Sequence, residues 1–109
     1  MKDYTVGNSQ DQVLSLFPER VIKRVALGEK ILGVMRLGQE FYAFENSCPH
    51  RGASLLQANI NGQGEIICPL HQYRFDLKTG QVKAGYCRDL EVFPAILTEG
   101  GLKITVPDS

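Results

Sequence analysis

Tryptophan is absent, histidine occurs twice and cysteine three times in these 109 residues. Those scarcities bound function before any motif is considered. Twelve Lys and Arg balance twelve Asp and Glu, so no global basic field draws nucleic acid or anionic lipid. No segment approaches the roughly 18 consecutive apolar residues of a membrane span. The opening Met1-Lys2-Asp3-Tyr4-Thr5-Val6-Gly7 lacks the apolar core of a signal peptide. The expectation is a soluble, cytoplasmic protein without a nucleic-acid or membrane partner. At 109 residues and 43% hydrophobic, the chain suits one compact core, so residues 1–109 are expected to form a single domain. A nucleotide-binding glycine loop is missing too, and no second metal-ligand set remains once one site has taken both histidines. The chain is therefore expected to have no catalytic residues of its own.

What is present is a succession of short apolar runs separated by turn signals, which points to an all-β fold. The β-branched run from Arg20 to Leu27 turns at Gly28-Glu29 into Lys30 to Arg36. Leu37-Gly38-Gln39-Glu40 then turns it into Phe41-Tyr42-Ala43-Phe44, completing a three-strand meander. Glu65-Ile66-Ile67 and Tyr73-Arg74-Phe75-Asp76 read as a further strand pair, with Asp76-Leu77-Lys78-Thr79-Gly80 as the turn into Gln81-Val82. A last hairpin runs from Phe93 to Thr98, through Glu99-Gly100-Gly101, to Leu102–Val106. Ser9 to Leu16 and Ser54 to Ala58 read as short helical turns, and Asn59 to Gly64 as a loop.

Against this background the strong ligands are concentrated. Cys48-Pro49-His50 and Cys68-Pro69-Leu70-His71 form a Cys-x-His pair and a Cys-x-x-His pair, with residues 51 to 67, seventeen in all, between them. Each pair lies in a Pro-bearing loop beside a strand, so one thiolate and one imidazole on each of two loops can close on a metal from opposite sides. Two thiolates and two imidazoles suit either a tetrahedral zinc or an iron–sulfur centre in which histidines replace two cysteines on one iron. Zinc modules generally use tighter pairs and much smaller cores. An absorption spectrum separates the two, because a zinc protein is colourless.

The residues Cys48-Pro49-His50-Arg51-Gly52-Ala53-Ser54-Leu55, Cys68-Pro69-Leu70-His71 and Arg74-Phe75-Asp76-Leu77-Lys78-Thr79-Gly80 resemble the Rieske-type [2Fe-2S] ferredoxins. The likeness extends over essentially the whole chain. It implies a fold of small antiparallel sheets with two cluster-binding loops at one tip, one [2Fe-2S] cluster per chain, Cys48 and Cys68 on one iron, and His50 and His71 on the other. It further implies a one-electron carrier between a flavin-dependent reductase and a terminal oxygenase or similar acceptor. The alternatives are a small subunit of a reductase such as assimilatory nitrite reductase, and, more weakly, a zinc-binding interaction module. Oxygenases of the family need a further mononuclear iron held by two histidines, and no third histidine exists here.

Replacing two thiolates by neutral imidazoles makes the oxidised cluster formally neutral, which raises the potential from about −400 mV into a range of about −150 to +300 mV. High-potential relatives carry a disulfide cysteine in each loop, where this chain has Ala53 and Leu70, and hydroxyl donors where it has Tyr73 and Phe75. A low potential is therefore expected. Gln72 stands where the family generally has glycine, and Ala84-Gly85-Tyr86-Cys87-Arg88 lacks the proline of the family's third loop. Cys87 reads as a bystander thiol packed as a small apolar group. Arg51 reads as a solvated arginine, and Tyr42 and Phe44 as core of the strand that positions Cys48. Leu55, Leu56, Leu70, Tyr73 and Pro94 serve either as an apolar collar around the cluster or as ordinary core.

Overall fold

The computed structural model describes residues 1–49, 52, 54–69 and 72–107. Among them are eleven strands, one helix and three antiparallel sheets. The middle sheet is built on the meander: β2 (Lys23–Leu27), β3 (Lys30–Leu37) and β4 (Glu40–Glu45), with β9 (Val92–Phe93) added beside β4. Gly28 at φ 62° and Gly38 at φ 64° lead the two-residue turns Gly28-Glu29 and Gly38-Gln39, where a positive φ matches the strand twist.

Both faces of this sheet are covered, which explains the nearly unbroken apolar run in β3. Leu32 and Val34 of β3, Phe41 and Ala43 of β4 and Phe93 of β9 enter one core. Met35 and Phe44, displaced by one or three positions, enter a second. The first core is closed by β1 (Lys2–Val6), β11 (Gly101–Val106) and β10 (Ala95–Thr98), in that order, together with α1 (Gln10–Leu16).

Ser9 caps α1, its hydroxyl accepting from the Gln12 N–H at 3.1 Å, while Val13 and Phe17 turn inward. At the other end Arg36 donates to the carbonyls of Leu14 (3.2 Å) and Phe17 (3.0 Å), satisfying acceptors at the helix end, and to that of Gly38 (2.6 Å) in the β3–β4 turn.

The second core is closed by β5 (Asn59–Ile60), β6 (Glu65–Ile67), β7 (Arg74–Asp76) and β8 (Val82–Ala84). Asn59 and Ile60, expected as loop, instead pair with Ile67 and Ile66. The N-terminal residues, not expected as a strand, pair from Lys2↔Val106 to Val6↔Leu102. The helical turn expected at Ser54–Ala58 is a turn with one bond from the Ala58 N–H to the Leu55 carbonyl, 3.1 Å. Among the described residues no helix is long and apolar enough to cross a membrane.

Candidate functional site

Cys48 and Cys68 both lie in the second core. The first loop leaves β4 and is closed at its base by an antiparallel bridge between Ser47 and Ser54. It is closed again inside by the Gly52 N–H donating to the Cys48 carbonyl at 2.8 Å. The second loop is the connection of the β6–β7 hairpin, tied by Ile67↔Arg74 pairing and by the Cys68 N–H donating to the Tyr73 carbonyl at 2.7 Å. Each of these inner bonds therefore spans a histidine position, His50 in one loop and His71 in the other. His50 and His71 themselves lie outside the described residues, as do Arg51, Ala53 and Leu70.

Cys48 and Cys68 are 2% and 0% exposed and share one apolar cluster with Leu55, Ile66, Phe44 and Phe75. Burying a thiolate in such surroundings is costly, and a bound metal would neutralise the charge. Two withdrawn sulfurs on two pre-closed loops are a donor set that fits a metal centre. Among the described residues, which include neither histidine, no three His, Cys, Asp or Glu side chains gather into a metal site.

Both loops use left-handed backbone near their histidines. Gly52 has φ 72°, and Gln72 has φ 59°, a conformation that opposes an L side chain by about 1–2 kcal/mol. This accounts for the departure from glycine being legible as a departure: the backbone there is the one glycine adopts freely. Gln72 is exposed. Gln72→Gly is expected to raise stability by up to about 1 kcal/mol, the relief of φ strain being offset in part by glycine's greater unfolded-chain entropy. Urea midpoints of the two proteins measure it, and a lowered midpoint would show that the glutamine side chain contributes more than the strain.

The collar residues divide. Leu55 is fully buried and is core, Leu56 and Tyr73 are half-buried, and exposed Pro94 lines a separate cleft with Gln39, Glu40 and Phe41. Phe75 is fully buried and has no donor to offer, while the Tyr73 ring packs on Gly85. Tyr42 is half-buried and donates to Glu40 at 3.0 Å; burial first, then this carboxylate, raise its phenol above the usual range.

Sequence reading overlooked the anchoring of the third loop. Glu45, at the end of β4, receives both guanidinium nitrogens of Arg88 at 2.7 and 2.8 Å and the Glu91 N–H at 2.6 Å. The paired carboxylate raises the Arg88 guanidinium above its ordinary value. Cys87, next in the chain, is half-buried against the cluster that holds Cys48 and Cys68, and burial pushes its thiol up. It packs as the small apolar group expected of it.

Comparison with known proteins bears on this geometry directly. A family model described as the Rieske [2Fe-2S] domain matches residues 5–94. The anthranilate 1,2-dioxygenase ferredoxin subunit of Burkholderia cepacia is 34% identical over 84 residues, 76% of this chain and 76% of the relative. A chain in the complex of reduced oxygenase and oxidized ferredoxin in carbazole 1,9a-dioxygenase is 32% identical with a TM-score of 0.74, covering 94% of this chain and 91% of that one. The putative NADH-dependent nitrite reductase small subunit from Mycobacterium tuberculosis shares the fold, with a TM-score of 0.80 over 99% of this chain and 97% of that one, at 19% identity. Paired Cys and His loops on a three-sheet β scaffold, matched by that model over most of their length, make this chain a member of the Rieske [2Fe-2S] domain family.

Proposed function

We propose that the chain is a one-electron carrier that takes electrons from a flavin-dependent reductase and delivers them to a terminal oxygenase, acting as one domain over residues 1–109 in the cytoplasm. The observation that carries this reading is the pair of pre-closed loops bringing Cys48 and Cys68 into one buried apolar cluster. Identity to ferredoxin subunits of dioxygenase systems supports the choice of partners. Three cysteines without a disulfide suit a reducing compartment.

Cys48 and Cys68 would hold one iron of the [2Fe-2S] cluster and His50 and His71 the other. When bound, the cluster supplies reversible one-electron chemistry. The chain's own residues do the rest. Phe44, Phe75, Leu55 and Ile66 exclude water behind the sulfurs, and the Cys48–Gly52 and Cys68–Tyr73 backbone bonds close the two loops. A pre-formed site of this kind needs little rearrangement on electron transfer.

The potential follows from the donors. Phe75 is buried and cannot hydrogen-bond a sulfur, and the Tyr73 ring lies against Gly85, so the small hydroxyl residues of high-potential relatives have no counterpart of like size here. The expected midpoint lies near the bottom of the histidine-ligated range, on the order of −150 mV. Protein-film voltammetry measures it, and a value well above zero would exclude the argument from donors. Restored turnover in a reductase–oxygenase mixture lacking its ferredoxin tests the carrier role itself; co-purification with a large sirohaem subunit would instead favour a reductase subunit.

A further inference from the structure

The third loop lacks the proline that would stiffen it, yet it is fixed at both ends. At its start, Gly85 has φ 118° and lies flat beneath the Tyr73 ring, so that a Cβ there would collide with Tyr73 Cδ2 and Cε2. At its end, Arg88 forks onto Glu45 through two bonds of 2.7 and 2.8 Å. Glu45 is in turn held by the Glu91 N–H at 2.6 Å, and its own N–H donates to the Glu91 carbonyl at 2.9 Å. Arg88 Nη1 also donates to the Asp89 carbonyl at 3.1 Å, and Asp89 accepts from the Val82 N–H at 3.0 Å.

The two anchors have a particular relation to the ligand loops. Tyr73 is two residues beyond His71, and Glu45 is three residues before Cys48. Between the anchors, Tyr86 stands 98% exposed while Cys87 packs inward against the cluster containing Cys48 and Cys68. One short segment thus ties the two ligand loops together and packs Cys87 against the core that holds their cysteines.

We propose that Arg88 is a positioning residue: by its forked bond to Glu45 it holds residues 85–88 as a cover over the ligand cysteines. Arginine suits this role because its planar fork fixes direction as well as distance, which a lysine ammonium does not. The proposal rests on the cluster reading above.

The test uses the cluster-loaded protein and reads Cys87, which the cover carries but which is not a proposed ligand. Arg88→Ala is expected to increase the rate of Cys87 alkylation by iodoacetamide about ten-fold, as measured by peptide mass spectrometry, because opening of the cover exposes the thiol. It should also speed bleaching of the cluster by a chelator in air and move the midpoint potential upward, since water favours the more charged reduced state. Arg88→Lys should fall between Ala and wild type, and it replaces Ala should that variant fail to fold. Asp3→Asn, which breaks the Lys103–Asp3 pair of 3.7 Å on the opposite sheet, should change none of these rates. A coloured, folded Arg88→Ala protein labelled at the wild-type rate overturns the proposal alone. A wild type that purifies without red-brown colour overturns the cluster reading beneath it.

Discussion

Cys68→Ala is expected to abolish the visible absorption and the reduced-state electron paramagnetic resonance signal outright, and to lower the unfolding midpoint at the same time. Both effects come from one position. Cys68 has no exposed surface, its N–H already closes the second loop onto Tyr73, and its side chain lies among Phe75, Ile66 and Leu55. No described side chain is placed to take over a missing sulfur; Cys87 shares the cluster but is held by the Arg88–Glu45 fork on its own segment. Because a bound metal centre contributes its binding free energy to folding, losing it also removes the cross-link between the first loop and the β6–β7 hairpin. Cys87→Ser is the matched control, expected to keep colour and signal. A Cys68→Ala protein that retains the spectrum, or a Cys87→Ser protein that loses it, would reassign the ligands.

The contrast between these cysteines was largely legible in the chain, since spacing separates Cys48 and Cys68, each paired with a histidine, from Cys87, which has none near it. Local signals also located β2 to β4 and the β10–β11 hairpin, because Gly28, Gly38 and Gly100 mark turns between β-rich runs whose partners adjoin them in sequence. Where the partner is distant, the signal fails. Lys2-Asp3-Tyr4-Thr5-Val6 has only two half-buried residues and becomes a strand by pairing with Gly101–Val106 across nearly the whole chain. Asn59 and Ile60 are too few for a periodicity and owe their conformation to β6. The Glu45–Arg88 fork joins residues 43 apart, and neither residue type nor neighbourhood announces it. The candidate ligand pairs are written in local spacing, whereas the Glu45–Arg88 fork and the outer strand exist only through tertiary contact.

Phe44→Ala is expected to destabilise the protein by about 3–5 kcal/mol, a large share of the roughly 5–15 kcal/mol available to a domain, through the cavity left by a fully buried ring. The interest lies in its coupling to Gly33. These residues are cross-strand partners in β3 and β4, and a Cβ on Gly33 would sit 2.5 Å from Phe44 Cε2. Gly33→Ala alone is therefore an overpacking change, expected to lose about 1–3 kcal/mol by forcing the ring off its seat above the cluster pocket. With Phe44 already removed, the same methyl enters empty space and gains the alanine's advantage over glycine in a strand, about 0.5–1 kcal/mol. The double variant should accordingly be more stable than Phe44→Ala, although each single change is harmful, giving a coupling of about 1.5–4 kcal/mol in urea melts of the loaded proteins. Additive losses would mean that the ring yields easily. In that event the second core does not grip the strand leading to Cys48, and the pre-closed geometry of the first loop must come from its own Ser47–Ser54 and Cys48–Gly52 contacts.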